Sequence, residues 1–205
     1  MEDKIIKKIY VGIDVNKSDS LLISQTQICR KFNLFQREEL HITIAYFEEI
    51  TETNLIKLGN SLKLLLNEDL QKVEIIGIGG VIKVNHNKFI MIDTMEFENT
   101  HDFPRVLWFT VHPTDALINF RNSLISIAMT INLSIKYLRP TFYPHLTIGS
   151  GGNTDKVEKW KRWDTQAIEK NASMNDYHYH KMESFSKVHI TDSSIHPESL
   201  FSISN

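Results

Sequence analysis

Cysteine is nearly missing: Cys29 is the single one, so the chain can form no internal disulfide and no cysteine-based zinc site. Charge of neither sign is in surplus, with a formal net charge of −2 and a pI near 6.5. That balance lacks the basic field that long nucleic acids usually require, which favours a small ligand, with long RNA the weaker expectation. No apolar run approaches the roughly 18 residues of a membrane span, so no membrane is expected as a partner. Met1-Glu2-Asp3-Lys4 is charged and leads into a strand-like run, unlike a signal peptide. A reducing, cytoplasmic setting is expected. Alanine, arginine and glycine are scarce while isoleucine, lysine and asparagine abound, a bias that AT-rich coding explains without any chemistry.

What remains is ordinary for a globular chain of 205 residues, 41% hydrophobic and 23% charged. No composition shift marks a boundary, so residues 1–205 are read as one domain. Ile9–Val15 alternates with period two, placing Ile9, Val11, Ile13 and Val15 inward and Tyr10, Gly12 and Asp14 on the opposite face. A helix is expected within Leu21–Phe32. Leu40–Phe47 reads as a strand with His41, Thr43 and Ala45 on one face and Ile42, Ile44 and Tyr46 on the other. Thr51 or Thr53 can cap a helix to about Leu66, with Leu55, Leu58, Leu62, Leu65 and Leu66 as its apolar stripe. Val73–Val84 and Phe89–Ile92 read as strands, Asn99–Pro104 as loop, and Arg105–Val111 as a strand. Thr114 caps a helix to about Ile131. Tyr143–Gly149 is a second His-apolar-Thr strand, built on His145 and Thr147. A short lysine-rich helix is expected over Asp155–Arg162, a surface excursion over Asp164–Tyr179, and strands over Ser184–Asp192 and Leu200–Ile203. The order of elements suggests a duplicated α+β unit.

His-x-Thr occurs four times, so the tripeptide alone means little. In the copy at His112, Pro113 ends a strand and Thr114 caps a helix, a structural role. The copy at His189 lies in a strand but has no following glycine or helix, and ranks below His41 and His145. Residues two apart on a strand share a face, so each of the two main segments offers an imidazole and a hydroxyl to one cavity. An imidazole with an ordinary pKa of roughly 6.5 can take or give a proton at neutral pH. A pair can act as general base and general acid, while threonine hydroxyls donate to phosphate oxygens. Such a site needs no cofactor and no metal, and none is expected. The Tyr177–His180 cluster has no nearby cysteine or acidic pair at ligand spacing and reads as a surface loop. Lys156, Lys159, Lys161 and Arg162 read as a solvated face.

These segments resemble the 2H phosphoesterase superfamily, the LigT-like phosphodiesterases, in which two His-x-Thr/Ser motifs sit on a duplicated α+β fold. His41-Ile42-Thr43 and Pro144-His145-Leu146-Thr147 carry the resemblance, supported by Tyr10–Ile13, Pro104–Trp108 and the last long strand; Asp164–His180 departs from it. The resemblance implies two pseudo-symmetric lobes, mostly antiparallel sheets lining a central cleft, and helices outside. It implies metal-independent hydrolysis of 2′-linked or 2′,3′-cyclic phosphodiesters, with His41, Thr43, His145 and Thr147 as the catalytic set. Substrates in such a family include RNA ends, 2′,5′-oligoadenylates and cyclic dinucleotides such as cGAMP, and some viral members destroy host immune messengers in the host cytosol. A small nucleotide or cyclic oligonucleotide is the expected partner of a monomeric enzyme. The alternatives are an RNA 2′,3′-cyclic phosphodiesterase or 2′,5′ RNA ligase-like enzyme, and a catalytically silent nucleotide-binding module. Tyr10, Trp108 and Tyr143 have the parity to face the site and stack a base, worth roughly 1–3 kcal/mol per base.

Overall fold

The computed structural model describes residues 4–32, 34–66, 70, 72–84, 88–92, 104–136, 141–151, 181–192 and 199–204. In chain order these form β1 (Ile5–Val15), α1 (Asp19–Lys31), β2 (Phe35–Gln36), β3 (His41–Thr51), α2 (Glu52–Leu65), β4 (Lys72–Val84) and β5 (Lys88–Ile92). Then follow β6 (Pro104–Val111), α3 (Asp115–Thr130), β7 (Ile135–Lys136), β8 (His145–Ser150), β9 (Lys181–Asp192) and β10 (Ser199–Ser204). The expected α+β class is what the chain adopts. The expected features at Asn99–Phe103, Asp155–Arg162 and Asp164–His180 fall outside the described residues.

Every strand pairing is antiparallel, in the order β10-β9-β1-β3-β8-β6-β4-β5. The first part of β9 also pairs with β4, through Lys181–Ser184 against Lys72–Ile75. The strands β9, β1, β3, β8, β6 and β4 thereby form a closed ring of neighbours. The order of elements repeats in part. β1, α1, β2, β3, β4 and β5 are matched by β6, α3, β7, β8, β9 and β10, with α2, between β3 and β4, having no counterpart among the described residues. The two copies exchange their short arms: β2 pairs with β8, and β7 with β3. They exchange hairpins as well, since β4 lies beside β6 and β9 beside β1.

The physical basis is the apolar face of each strand. Ile9, Val11, Ile13 and Val15 are buried as their alternation requires, as are Ile42, Leu107, Phe109, Val111, Leu146, Ile148, Val188 and Ile190. The helices begin at side-chain caps. Ser18, Thr51 and Thr114 accept from Leu21, Asn54 and Leu117 N–H groups, each satisfying one orphan donor of a first turn. Leu55, Leu58 and Leu62 of α2 and Leu117, Phe120, Leu124 and Ala128 of α3 are buried.

One expectation is corrected. The register between β1 and β3 pairs Val11 with Ala45 and Gly12 with Thr43, so Ile44 has no partner and forms a bulge. The extra residue inverts the parity beyond it. Phe47, not Tyr46, enters the core, and Tyr46 turns out with 39% exposure to the face that carries His41. The matching bulge recurs in β8: Leu107 pairs with Gly149 and Trp108 with Thr147, skipping Ile148. In both strands the two motif residues are half-buried, and the apolar residues after each are buried.

Candidate active site

The two motif strands meet at one point, where Ile42 pairs with Leu146. Opposed residues of an antiparallel pair point to the same side, so these two buried side chains set the core side for both strands. His41, Thr43, His145 and Thr147 must therefore share the opposite side, clustered around that single pairing. All four are half-buried. Antiparallel sense sets His41 towards Thr147 and Thr43 towards His145, an arrangement with approximate two-fold symmetry.

Their surroundings break that symmetry. On the first copy, β1 presents Asp14 beside His41 and Gly12 beside Thr43, and β9 presents His189 beside Gly12. The same register on the second copy gives Thr110 beside His145, Trp108 beside Thr147, and Gly79 beside Trp108. Each glycine makes room for a ring from the next strand. A Cβ on Gly12 would lie 2.8 Å from His189 Nε2, and one on Gly79 would lie 2.5 Å from Trp108 Nε1.

His41 is enclosed. Tyr10 stacks on it at 5.0 Å between centroids and 22° between planes, and His189 meets it edge-on at 5.7 Å. Burial depresses its pKa to about 4, and the neighbouring charges of His189, Arg37 and His145 add to this against the opposing pull of Asp14. At neutral pH its ring is uncharged, a proton acceptor. Asp14 holds His189 Nδ1 at 3.0 Å through Oδ1, close in distance but off-line in angle, and Lys187 Nζ at 3.3 Å through Oδ2. Burial alone would raise its pKa; the contacts with His189 and Lys187 outweigh that and hold the carboxyl below its ordinary value.

His145 is set differently. Its Nδ1 lies 2.9 Å from the Tyr143 carbonyl. A carbonyl only accepts, so Nδ1 carries the hydrogen and Nε2 is the nitrogen available for proton exchange. Trp108 packs against its ring at 5.1 Å.

The bulge carbonyl of Ile148 anchors the edge of the site. It accepts from Arg37 N–H at 3.0 Å, from Gln25 Nε2 at 2.9 Å and from Cys29 Sγ at 3.3 Å. Gln25 also donates to the Arg37 carbonyl at 2.8 Å, fixing the backbone of a cation whose field reaches His41.

The aromatic residues expected to stack a base fare unequally. Trp108 is half-buried beside His145, and Tyr143 lies just before β8 with 62% exposure. Tyr10 is only 6% exposed, and one face of its ring is taken by His41. It walls the site rather than offering an open platform, and burial pushes its hydroxyl pKa upward. His112 is exposed at the end of β6, and Thr114 caps α3, as anticipated. His189, set aside in the sequence, belongs to the site. Asp14 and Arg37 were missed. The available signals were the parity Asp14 shares with Tyr10 and Gly12, and the strand setting of His189 two residues before Thr191. No metal-ligating set was expected, yet the fold brings the ligand atoms of Asp14, His41 and His189 within 4.8 Å of one another.

No family model matches the chain, and no curated protein matches it. Among solved structures it is similar to a phosphoesterase at 17% identity, covering 97% of this chain and 98% of that one, with a TM-score of 0.49. It is likewise similar to Escherichia coli LigT complexed with 3′-AMP at 16% identity, covering 97% and 98% of the two chains, TM-score 0.49. Kluyveromyces marxianus Usb1 is similar at 8% identity over 95% and 98%, TM-score 0.49. No helix among the described residues is long and apolar enough to cross a membrane.

Proposed function

We propose that this chain is a two-histidine phosphodiesterase that cleaves 2′-linked phosphodiester bonds in small nucleotides, such as a 2′,5′-oligoadenylate or a 2′-linked cyclic dinucleotide. The observation that carries the reading is the Ile42–Leu146 pairing, which gathers two imidazoles and two hydroxyls on one side of the sheet. His41, uncharged at neutral pH, takes the base role, and His145, with Nε2 available, takes the acid role. On a 2′,5′ linkage His41 removes the proton of the adjacent 3′-OH and the O3′–P bond forms. The P–O5′ bond breaks as His145 Nε2 delivers a proton to O5′, leaving a 2′,3′-cyclic phosphate and a free 5′-OH. Thr43 and Thr147 donate to the non-bridging oxygens, where charge develops. An arriving phosphate anion also draws the His41 pKa upward, which strengthens it as a base when substrate is present. The half-buried Trp108 and exposed Tyr143 beside His145 support recognition of a base, and the net charge of −2 supports a short ligand over long RNA.

The test is turnover in excess chelator against 2′,5′-oligoadenylate, 2′,3′- and 3′,3′-linked cyclic dinucleotides, a 2′,3′-cyclic nucleotide and a cyclic-phosphate-ended RNA, with products identified by mass. Cleavage of a 2′-linked small nucleotide is expected, and His41→Ala and His145→Ala should each lower it by about 10² to 10⁴-fold. Folded variants that keep near-normal turnover would end the proposal.

A further inference from the structure

We propose that Asp14, His41 and His189 form a binding site for a divalent transition-metal ion of the Zn²⁺ type. The three come from neighbouring strands, β3, β1 and β9, and their ligand atoms lie within 4.8 Å of one another. Asp14 Oδ1 and His189 Nδ1 face each other at 3.0 Å in poor hydrogen-bond alignment, and His41 Nδ1 beside them is buried with no hydrogen-bond partner. A buried polar atom without a well-formed bond is costly, and an ion shared by the three would satisfy His41 Nδ1 and bind both members of the misaligned pair. The His189 side chain is only 5% exposed.

The donor chemistry selects the occupant. Two imidazole nitrogens and one carboxylate oxygen suit Zn²⁺, bound at about 2.0–2.2 Å from each ligand, with a fourth position left open. Ligand atoms around such an ion sit about 3.3 Å apart, so the cluster needs a modest closing of side chains rather than a change of backbone. Lys187 engages Asp14 Oδ2 and leaves Oδ1 on the histidine side, the orientation an outer-shell partner imposes on a ligating carboxylate. Gly12 provides the space for His189 to lie across β1.

The duplication supplies a control within the molecule. Where the first copy has Asp14 and His189, the register of the second has Thr110 and Gly79, a hydroxyl and no side chain. The His-x-Thr pair is common to both copies, so the extra carboxylate and imidazole are an addition to one. A cation held there takes a lone pair of His41 and bars it from accepting a proton; that consequence rests on the proposed phosphodiesterase activity, whereas the site does not.

Cobalt(II) titration of the chelator-stripped full chain is the test, because visible absorption reports nitrogen–oxygen coordination without any substrate. One Co²⁺ per chain is expected, displaced by Zn²⁺. Asp14→Asn and His189→Gln should each weaken binding at least about tenfold, and a His178→Ala/His180→Ala double variant should leave it unchanged. A missing band in the wild type, or one that survives both ligand variants, overturns the site. Nitrogen NMR of the wild-type imidazoles covers the case of misfolded variants. Zn²⁺ must move the ring resonances of His41 and His189, and shifts confined to the other histidines overturn the site equally.

Discussion

At the scale of single residues, the two motif histidines share a half-buried strand position ahead of a bulge but differ in their neighbours. His41 is packed under Tyr10 and beside His189, while His145 is pinned by its own chain through the Tyr143 carbonyl. The proposed division of labour follows from those surroundings. Replacing Thr43 or Thr147 by valine keeps the volume and removes the hydroxyl, and should lower kcat by roughly 10²-fold if each donates to the phosphate in the transition state. A fall confined to KM would instead mark them as ground-state binders. Gly12 is open to a sharper test. A Cβ there meets His189 Nε2 at 2.8 Å and Tyr10 Cε2 at 3.2 Å, so Gly12→Ala should cost about 1–3 kcal/mol in a denaturant melt by overpacking. The same variant should displace His189 and weaken cobalt binding in parallel.

At the scale of elements, most strands and helices were legible because their alternation or apolar stripe is long and their ends carry punctuation. Thr114 illustrates it: its hydroxyl accepts from Leu117 N–H at 3.3 Å, and α3 begins one residue later. Thr114→Ala should cost about 1 kcal/mol in thermal or chemical unfolding, with no effect on turnover. What was not legible is the bulge. Nothing in Ile42-Thr43-Ile44-Ala45-Tyr46 announces an extra residue, because its cause is the register against β1, a strand some thirty residues away. Period-two counting therefore misassigned Ala45, which is buried opposite Val11, as well as Tyr46, though it holds for His41 and Thr43 because they precede the bulge. The same offset in β8 comes after His145 and Thr147, so the strand parity of both motif pairs holds for one reason.

At the scale of the whole molecule, β9 ties the copies together, pairing with β4 at its start and with β1 and β10 later. Ile190, fully buried within it, contributes to the shared core; Ile190→Ala should cost about 2–5 kcal/mol and lower a single unfolding transition rather than splitting it. Stability should also respond to pH through His41. Its folded pKa of about 4 lies below the ordinary 6.5, so the unfolded chain binds the proton first as pH falls. The contribution is fully present above about 6.5 and is lost as pH drops towards about 4. Asp14, also depressed, adds a loss in a separate and more acid window, below the ordinary carboxylate pKa. Equilibrium unfolding in chelator between pH 7 and 4 should show the decline, and His41→Gln should flatten its upper part. An unchanged slope in that variant would show that His41 is not the titrating group.

By itself the sequence determined the elements, the core faces and the two His-x-Thr motifs, since each depends on neighbours within a few residues along the chain. Strand parity sends His41 with Thr43 and His145 with Thr147, whatever the rest of the fold does. Only the tertiary structure decided what stands beside each histidine. Asp14, His189 and Arg37 approach from other segments, set there by cross-strand register and by an arm exchanged between copies. Those neighbours are what separate an enclosed, uncharged imidazole from a tethered one, and what set a carboxylate and a second imidazole beside the first motif where the second has Thr110 and Gly79 in register.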